Sequence, residues 1–238
     1  MGVVAVIPAR YGSSRFPGKP LVDVAGKPMI RRIYEQVKTC PDVDRVLVAT
    51  DDERIADAVT SFGGRAVMTS PDCPSGTDRV AQAVAGMEAD HIVNVQGDQV
   101  VLDLDALSRL IRALKAGAAM ATVATLLQAA ERDDPNCVKV VCALNGDALY
   151  FSRSAIPFER HPDHNGMLKH IGIYGFARQT LLRFNALPPS PLELTESLEQ
   201  LRALENGIPI KVIIAAGEFH EINTPSDLER LLKRWNGS

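Results

Sequence analysis

Three cationic side chains stand close together near the start of the chain, directly after an apolar run. Arg10, Arg15 and Lys19 share a segment with Gly12 and Gly18, and this segment contains no carboxylate. Like charges at such spacing repel one another unless an anion lies between them. The glycines let the backbone approach a ligand, and two serines between them add hydroxyl and backbone N–H donors. The segment therefore predicts a loop that binds the phosphates of a nucleoside triphosphate.

The spacing within this loop excludes two common phosphate-binding motifs. Five residues separate Gly12 from Gly18, where a Walker A loop has four, and Pro20 follows the lysine where that loop has Ser or Thr. No G-x-G-x-x-G follows the first apolar run, so the fingerprint of a dinucleotide-binding Rossmann domain is missing as well. A solvated basic loop, in which the glycines serve only the turn, is the alternative interpretation.

A carboxylate stands at the end of another apolar run. Residues 91–96 have the pattern of a buried strand and are followed by Gly97 and Asp98. Magnesium prefers oxygen ligands, usually takes one or two carboxylates, and completes its shell with water and substrate phosphates. Asp98 is therefore predicted to hold Mg²⁺, which would offset charge as pyrophosphate departs. A turn or a helix cap is the alternative role for this aspartate.

A polar turn at residues 75–79 leads into a predicted helix. Its sequence, Ser-Gly-Thr-Asp-Arg, offers hydroxyls and free N–H groups that can bind the edge of a base or a ribose. The same residues can equally form a capped helix start with no ligand.

The elements that must position these residues alternate along the first half of the chain. Strands are predicted at 3–7, 45–50, 66–69, 91–96 and 120–126, and helices at 29–38, 52–62, 78–87 and 104–114. This alternation predicts an α/β fold with a doubly wound, mostly parallel, Rossmann-like sheet. Ligands bind such sheets beyond the carboxyl ends of the strands, which is where the loops at 8–19, 50–52, 70–79 and 96–99 fall.

The pattern changes after about residue 135. An Asn-Gly pair at 145–146 lies between two β-rich runs and predicts a hairpin. Further strands are predicted at 170–177 and 210–216, with helices at 192–205 and 228–235. Because no repeat or long linker interrupts the chain, we expect one domain over residues 1–238. Residues 135–192 are expected to form an inserted, β-rich subregion.

Composition limits the class of protein. The 238 residues are 46% hydrophobic and 23% charged, with a formal net charge of −3, which is typical of an ordinary globular protein and not of a general nucleic-acid binder. No apolar run approaches the length needed to span a bilayer, and no secretory leader is recognisable, so we expect a cytoplasmic protein without membrane insertion. The four cysteines form no C-x-x-C pair, and the histidines form no H-E-x-x-H motif.

Several motifs resemble those of the 3-deoxy-manno-octulosonate cytidylyltransferases, or CMP-Kdo synthetases, in the same order along the chain. They are IPARYGSSRFPGKPL (7–21), SGTDR (75–79), VNVQGD (93–98), ALYFSRSAIP (148–157), KHIGIY (169–174) and LEQLR (198–202). The resemblance implies a sheet of the nucleotide-diphospho-sugar transferase type within one nucleotidyltransferase domain over residues 1–238, and it assigns substrate binding and dimerisation to the inserted subregion at 135–192. It also implies a homodimeric enzyme that uses Mg²⁺ to join CTP and Kdo into CMP-Kdo and pyrophosphate for lipopolysaccharide synthesis.

Carried over to matching positions, the resemblance implies three sets of site residues. The nucleotide set is Pro8, Ala9, Arg10, Gly12, Ser13, Lys19, Ser75, Gly76, Thr77, Arg79 and Gln96. The sugar set is Gln96, Arg160, His170, Tyr174, Glu196 and Gln200. The catalytic set is Arg10, Arg15, Lys19 and Asp98. In the implied reaction the anomeric hydroxyl of the sugar attacks the α-phosphorus of CTP in line, and the cations stabilise charge on the phosphates.

One position departs from the family pattern at the implied metal site. Relatives usually have V-D-T-P-E-D-L near the C-terminus, with the first Asp as a magnesium ligand, whereas this chain has I-N-T-P-S-D-L and therefore Asn223. An amide oxygen can still bind Mg²⁺ but brings no negative charge. The metal set is therefore expected to be Asp98 and Asn223.

Three interpretations of this departure stay open. The chain can be an active Kdo enzyme, a divergent paralogue that activates another ulosonic acid such as 8-amino-Kdo, or a nucleotide-binding relative with reduced catalysis. We favour the first because the basic loop, Asp98 and the sugar set are all present.

A glycosyltransferase is a separate alternative, but Asp103 and Asp105, which form a D-x-D pair, stand at a predicted helix start. A sugar-1-phosphate nucleotidyltransferase, which uses a phosphate as its nucleophile, is expected to have a different glycine loop.

Overall fold

The computed structural model describes residues 2–12, 16–161 and 166–236. The chain divides into two compact units: unit 1 is Met1–Leu104 with Glu218–Ser238, and unit 2 is Asp105–Gly217. The predicted inserted subregion, residues 135–192, falls wholly within unit 2. The prediction of a single domain with an insertion stays a prediction.

Unit 1 is built on a parallel sheet. Strands β6 (His91–Asn94), β1 (Val3–Ala9), β4 (Arg45–Thr50) and β5 (Ala66–Met68) lie side by side in this order, and each neighbouring pair is parallel. Residues 3–7 of β1 are fully buried, as expected for a central strand that is covered on both faces. The parallel α/β core predicted from the alternating pattern is confirmed.

Helices connect these strands. They are α1 (Met29–Lys38), α2 (Glu53–Ser61) and α3 (Gly76–Val84), and α8 (Pro225–Asn236) comes last in the chain. Asp52 caps α2 by accepting the Arg54 N–H at 3.0 Å, and Ser75 caps α3 by accepting the Asp78 N–H at 3.1 Å. Each cap pairs an N–H group that the first turn of a helix leaves free, which fixes where the helix begins.

Two short two-stranded sheets also belong to unit 1. β2 (Asp23–Val24) pairs with β3 (Lys27–Pro28), and β7 (Gln99–Val101) pairs antiparallel with β13 (His220–Glu221). The second pairing brings the C-terminal segment beside the residues that follow β6. These strands are too short for an alternation of apolar residues to predict them.

Unit 2 contains a mixed sheet. Its strands are, in spatial order, β10 (Ala148–Ser152), β9 (Lys139–Cys142), β11 (Leu168–Ala177), β8 (Met120–Leu126) and β12 (Ile210–Ile214). Only the β8–β12 pair among these strands is parallel. The turn between β9 and β10 contains Gly146 with a φ of +83°, a conformation that favours glycine. The predicted Asn-Gly hairpin is confirmed.

The helices of unit 2 correct one prediction. They are α4 (Leu104–Lys115), which begins at the unit boundary, α5 (Arg178–Ala186), α6 (Pro191–Glu196) and α7 (Gln200–Glu205). The prediction of one continuous helix over 192–205 is wrong, because Ser197 adopts a left-handed conformation with a φ of +52° and ends α6. Within the described ranges, every helix falls short of the length and apolar character that a membrane crossing requires.

Candidate functional site

A cavity of about 250 Å³ lies at the carboxyl ends of the unit 1 strands. It is lined by Pro8, Ala9, Arg10, Lys19, Pro20, Cys73, Pro74, Ser75, Gly76, Arg79, Gln96, Gly97 and Asp98. The end of β1, the segment after β6 and the start of α3 supply most of this wall. The structure thus brings together residues from three separate sequence motifs, at the edge where a doubly wound sheet binds its ligands.

Four residues of the predicted nucleotide and catalytic sets are not part of the described cavity lining. Gly12 is exposed, and Thr77 is buried and accepts a hydrogen bond from Asn94 Nδ2 at 3.3 Å, so neither is part of the described lining. Ser13 and Arg15 lie outside the described residues. A role for these four residues in nucleotide binding stays a prediction.

An ion pair lies in the cavity wall. Lys19 Nζ donates to Asp98 Oδ2 at 2.9 Å, and the two side chains are only 15% and 24% exposed. Lys19 begins a short 3₁₀ turn directly after Gly18, whose φ of +69° favours glycine. Two groups of the predicted catalytic set are therefore in direct contact, with Arg10 exposed at the end of β1.

Close backbone packing places Asp98. A Cβ atom added to Gly97 would lie 2.5 Å from the Pro8 carbonyl oxygen, so glycine is required where β1 and the segment after β6 approach each other. Gly97 lines the cavity, as do Pro20, Cys73 and Pro74, and sequence reasoning assigned none of them to the site. Small or apolar residues of this kind carry no chemical signal of ligand binding.

The donors around Asp98 suit one kind of metal. Asp98 Oδ2 is engaged by Lys19, whereas Oδ1 has no hydrogen-bond donor among the residues that the structure describes. Those residues include no group of three or more His, Cys, Asp or Glu side chains that could hold a metal ion. Such a sparse set fits Mg²⁺, which takes most of its ligands from phosphates and water. It does not fit a structural zinc site, which needs four protein ligands.

Asn223, the second predicted metal ligand, follows β13. The Ile222 N–H donates to the Asp98 carbonyl at 3.0 Å, so Asn223 is next to a residue that contacts Asp98 through the backbone. Its side-chain Nδ2 donates to Glu221 Oε2 at 3.3 Å, and its N–H donates to Asp227 Oδ2 at 3.0 Å. Asn223 is not part of the described cavity lining. Its role as a metal ligand stays a prediction.

Arg79 lines the cavity, but other side chains hold its guanidinium. Nη2 donates to Asp51 Oδ2 at 2.8 Å and Nη1 donates to Thr69 Oγ1 at 2.6 Å, and the residue is 4% exposed. Thr69 Oγ1 in turn donates to the Thr50 carbonyl at 3.0 Å. Arg79 therefore links α3 to the ends of β4 and β5. The sequence indicated the loop at 50–52 as a candidate ligand loop, but Asp51 was predicted only as part of a helix start and not of the site, although a carboxylate directly after a buried strand was a usable signal.

Unit 2 contains a buried polar cluster around His170. Its Nε2 lies 2.9 Å from Thr122 Oγ1, and the Thr122 hydroxyl lies 2.8 Å from the Ile173 carbonyl. The Thr122 hydroxyl also lies 3.3 Å from the Ile171 carbonyl, and it has one proton for the two carbonyls and the imidazole, so the tautomer of His170 depends on which of them it binds. Burial lowers the pKa of His170 from its ordinary 6.5 to about 3, so the ring is neutral at physiological pH.

Tyr174 and Gln200 extend this cluster. The Tyr174 hydroxyl donates to Gln200 Oε1 at 3.0 Å, and the ring centroids of His170 and Tyr174 are 5.4 Å apart. Burial raises the pKa of Tyr174 well above its ordinary range, which keeps the phenol protonated. Gln200 Nε2 is buried and has no hydrogen-bond partner among the described residues. A buried donor of this kind calls for an acceptor, which a bound ligand can supply.

The other members of the predicted sugar set are held differently. The Glu196 carboxylate accepts from Ser152 Oγ at 2.6 Å and from the Arg153 N–H at 2.9 Å. Arg160 is exposed and makes no hydrogen bond or ion pair with another described residue. Gln96 belongs to unit 1. No hydrogen bond in the described part of unit 2 joins Glu196 or Arg160 to the cluster around His170.

Comparisons with known proteins agree along nearly the whole chain. The sequence model of the cytidylyltransferase family matches residues 4–213. A 3-deoxy-manno-octulosonate cytidylyltransferase of Nitratidesulfovibrio vulgaris (strain DP4) is 48% identical over 235 residues, which cover 95% of this chain and 93% of the relative. An 8-amino-3,8-dideoxy-manno-octulosonate cytidylyltransferase of Shewanella amazonensis is 45% identical over 241 residues, which cover 98% of each chain.

A solved structure is similar over the same extent. It is a CMP:2-keto-3-deoxy-manno-octonic acid synthetase complexed with CTP, and it is 43% identical to this chain with a TM-score of 0.95. The match covers 100% of this chain and 99% of that one.

Proposed function

This chain belongs to the cytidylyltransferase family, and from that premise we propose that it joins CTP and Kdo to give CMP-Kdo and pyrophosphate. The observation that carries the proposal is the unit 1 cavity, where Arg10, Lys19 and Asp98 meet the start of α3. A triphosphate needs cations and free N–H donors, and this wall supplies both. The similar structure complexed with CTP supports the choice of nucleotide.

The proposed reaction is an in-line displacement at the α-phosphorus. The anomeric hydroxyl oxygen of the sugar forms the new P–O bond, the bond to pyrophosphate breaks, and the hydroxyl proton passes to solvent. Lys19 and Arg10 attract the triphosphate and offset negative charge as pyrophosphate leaves. Asp98 orients Lys19 through their 2.9 Å contact. We also propose that Asp98 and Asn223 hold Mg²⁺, which when bound supplies further positive charge to the phosphates.

Unit 2 is proposed to bind the sugar acid. A neutral imidazole, a protonated phenol and the unpaired Nε2 of Gln200 offer mixed donors and acceptors, which suit the hydroxyl groups of an ulosonic acid. Arg160 suits the carboxylate, since a guanidinium can bind both of its oxygens. Glu196 is bonded to Ser152 and Arg153, so its proposed role is to hold that edge of the site.

The proposal extends to assembly and cellular role. We propose a homodimer that forms through unit 2, where Leu126 at the end of β8 and Leu149 of β10 are 64% and 62% exposed. Sedimentation of the purified chain at several concentrations tests this. Supply of activated Kdo to lipopolysaccharide synthesis in the cytoplasm is part of the same proposal.

A pyrophosphate-release assay with product mass spectrometry tests the proposed reaction. CTP is supplied with Kdo or with 8-amino-Kdo over a range of Mg²⁺ concentrations, for the chain and for Asn223→Asp. We expect CMP-Kdo and pyrophosphate from the natural chain, with a lower Mg²⁺ requirement in the variant because a carboxylate replaces a neutral ligand. Turnover with 8-amino-Kdo alone would favour the paralogue, which the relative from Shewanella makes a specific alternative.

Two further results of the same assay would overturn the proposal. CTP binding without any turnover would identify a nucleotide-binding relative with lost catalysis. Release of a free nucleoside diphosphate would indicate glycosyl transfer.

A further inference from the structure

Tyr11 connects the two ends of the basic loop. The Gly18 N–H donates to the Tyr11 carbonyl at 3.0 Å, which closes the loop through its backbone. The Tyr11 ring packs against Gly18 as well, because a Cβ atom added to Gly18 would lie 3.2 Å from the ring. Arg10 precedes Tyr11 and Lys19 follows Gly18, so this closure joins the backbone positions of two predicted phosphate-binding cations.

A guanidinium from another element packs against the same ring. The Cζ atom of Arg54, in the first turn of α2, lies 3.4 Å from the centroid of the Tyr11 ring. Asp52 fixes this guanidinium, because its carboxylate accepts from Arg54 Nε at 2.9 Å and from Nη2 at 2.6 Å. Two parallel hydrogen bonds hold a guanidinium in one plane, and a cation over an aromatic face is attracted to it.

We propose that Asp52, Arg54 and Tyr11 form a clip that holds the backbone at Arg10 and Lys19, the cations at the two ends of the basic loop, in position to bind CTP. Tyr11 and Arg54 then act as positioning residues, and the phosphates meet Arg10 and Lys19. The inference rests on the proposed function, because it takes CTP as the ligand of the loop. The pairing of Arg54 with Asp52 argues against a direct phosphate contact, since the carboxylate already offsets the charge of the guanidinium.

The clip and a direct contact between Arg54 and the triphosphate predict opposite effects of Asp52→Asn on CTP binding. If Arg54 acts through Tyr11, Asp52→Asn weakens CTP binding because the guanidinium loses its bidentate partner. If Arg54 instead binds the triphosphate, Asp52→Asn frees a positive charge and strengthens CTP binding. Asparagine is as good a helix cap as aspartate, so this variant preserves the start of α2.

The experiment measures KM for CTP and for Kdo, kcat, and the calorimetric Kd for CTP in the full chain. We expect Tyr11→Leu to raise KM for CTP about tenfold and Arg54→Ala or Asp52→Asn to raise it about threefold, with kcat within about twofold of the natural value. Tyr11→Phe should behave like the natural chain. The Asp52→Asn/Arg54→Ala double variant should be no weaker than Arg54→Ala, because both changes break one unit.

The chain contains a matched control for these changes. Arg31 pairs with Glu35 at 2.8 Å, and its Cζ lies 5.6 Å from the centroid of the Phe62 ring and not against Tyr11. Arg31→Ala removes the same kind of cation from an aromatic ring and should leave KM for CTP unchanged. Urea unfolding of every variant separates a change in loop position from a general loss of stability.

Three results would overturn the clip. They are stronger CTP binding by Asp52→Asn, an unchanged KM for CTP in folded Tyr11→Leu, and an equal effect of Arg31→Ala. Failure of the natural chain to bind CTP would be a different result, since it would remove the proposed function and with it the purpose of the clip.

Discussion

The two candidate binding regions hold their polar groups in opposite ways. In the unit 1 cavity, Lys19 and Asp98 keep charged side chains partly exposed at the ends of parallel strands. In unit 2, His170, Tyr174 and Gln200 are buried, and burial keeps the imidazole and the phenol uncharged. The difference matches the proposed ligands. A triphosphate is bound by charges that stay hydrated until it arrives, whereas sugar hydroxyls can be bound by neutral groups that tolerate burial.

Removing a charge from the unit 1 cavity should have the largest effect on catalysis. We expect Lys19→Met to lower kcat/KM for CTP by about a hundredfold to a thousandfold, because it removes a cation that neutralises the departing phosphates. KM for Kdo should change little if unit 2 binds the sugar. The control is Lys27→Met, which breaks an exposed ion pair with Glu35 and should change kcat/KM less than about twofold. An unchanged kcat/KM in Lys19→Met would contradict the charged role of the cavity.

Glycine substitutions compare how rigidly the two regions are packed. At Gly97 an added Cβ meets the Pro8 carbonyl oxygen at 2.5 Å, and a backbone atom cannot move aside without shifting β1. We expect Gly97→Ala to destabilise the fold by about 3 kcal/mol and to reduce CTP turnover. At Gly175, in β11, the added Cβ meets the side-chain ends of Leu110 and Leu114, which can rotate.

We therefore expect Gly175→Ala to lower the free energy of unfolding less than Gly97→Ala does. Urea unfolding of both alanine variants, with turnover measured for each, checks the order. A larger loss of stability in Gly175→Ala than in Gly97→Ala would show that unit 2 is the more rigid region.

Local features of each region could be predicted from the sequence, whereas contacts between residues far apart along the chain could not. The buried strand β1 and the basic loop after it are local features, so a continuous apolar run and clustered cations were enough to predict them. The Arg79–Asp51 ion pair joins residues 28 positions apart, and the Arg54–Tyr11 contact joins two elements. Neither contact affects a local periodicity, so no reading of spacing could find them.

The break between α6 and α7 was missed for another reason. Ser197 takes a left-handed conformation that is usually signalled by glycine or asparagine, and serine gives no such signal. The predicted sugar set rested on resemblance, because His170 and Tyr174 stand on an apolar strand where single polar residues are usually structural. Their shared burial and the unpaired Nε2 of Gln200 could be seen only in the structure.

The neutral state of unit 2 predicts a pH dependence of stability. The pKa of His170 is about 3 in the fold and near 6.5 in the unfolded chain, so below pH 6.5 the unfolded chain binds the additional proton. Stability from this residue is therefore complete above pH 6.5 and is lost progressively as the pH falls toward 3. Between pH 7 and pH 4.5 the free energy of unfolding should fall by about 2 kcal/mol more in the natural chain than in His170→Phe.

Urea unfolding at several pH values measures this difference. Glu193 and Asp227 also have lowered pKa values, but they are present in both proteins and cancel in the comparison. An identical pH dependence in the two proteins would mean that His170 is accessible to protons in the fold, and the contrast with unit 1 would be lost.

The smallest expected change in stability comes from replacing a buried glutamine that has an unpaired side-chain atom. This replacement tests whether such an atom binds a ligand. Gln200 Nε2 in unit 2 and Gln99 Oε1 in unit 1 are both buried without a partner among the described residues. Gln99 does not belong to the described cavity lining, whereas Gln200 is bonded to Tyr174 in the proposed sugar site. Replacing either glutamine with methionine removes an unpaired atom, which is stabilising, but also one hydrogen bond, with the Tyr174 hydroxyl for Gln200 and with the Val101 carbonyl for Gln99, so the free energy of unfolding should change by less than about 2 kcal/mol.

KM values should distinguish the two glutamine variants, whose free energies of unfolding are expected to be similar. Gln200→Met should raise KM for Kdo about tenfold, because the sugar loses a buried hydrogen-bond donor. Gln99→Met should leave KM for both substrates unchanged, because its buried oxygen faces no proposed ligand. If Gln200→Met also leaves KM for Kdo unchanged, the Gln200 amide binds no substrate and is a buried structural group, like that of Gln99. The cluster around His170 would then be a polar core, and the sugar would have to bind through exposed residues such as Arg160.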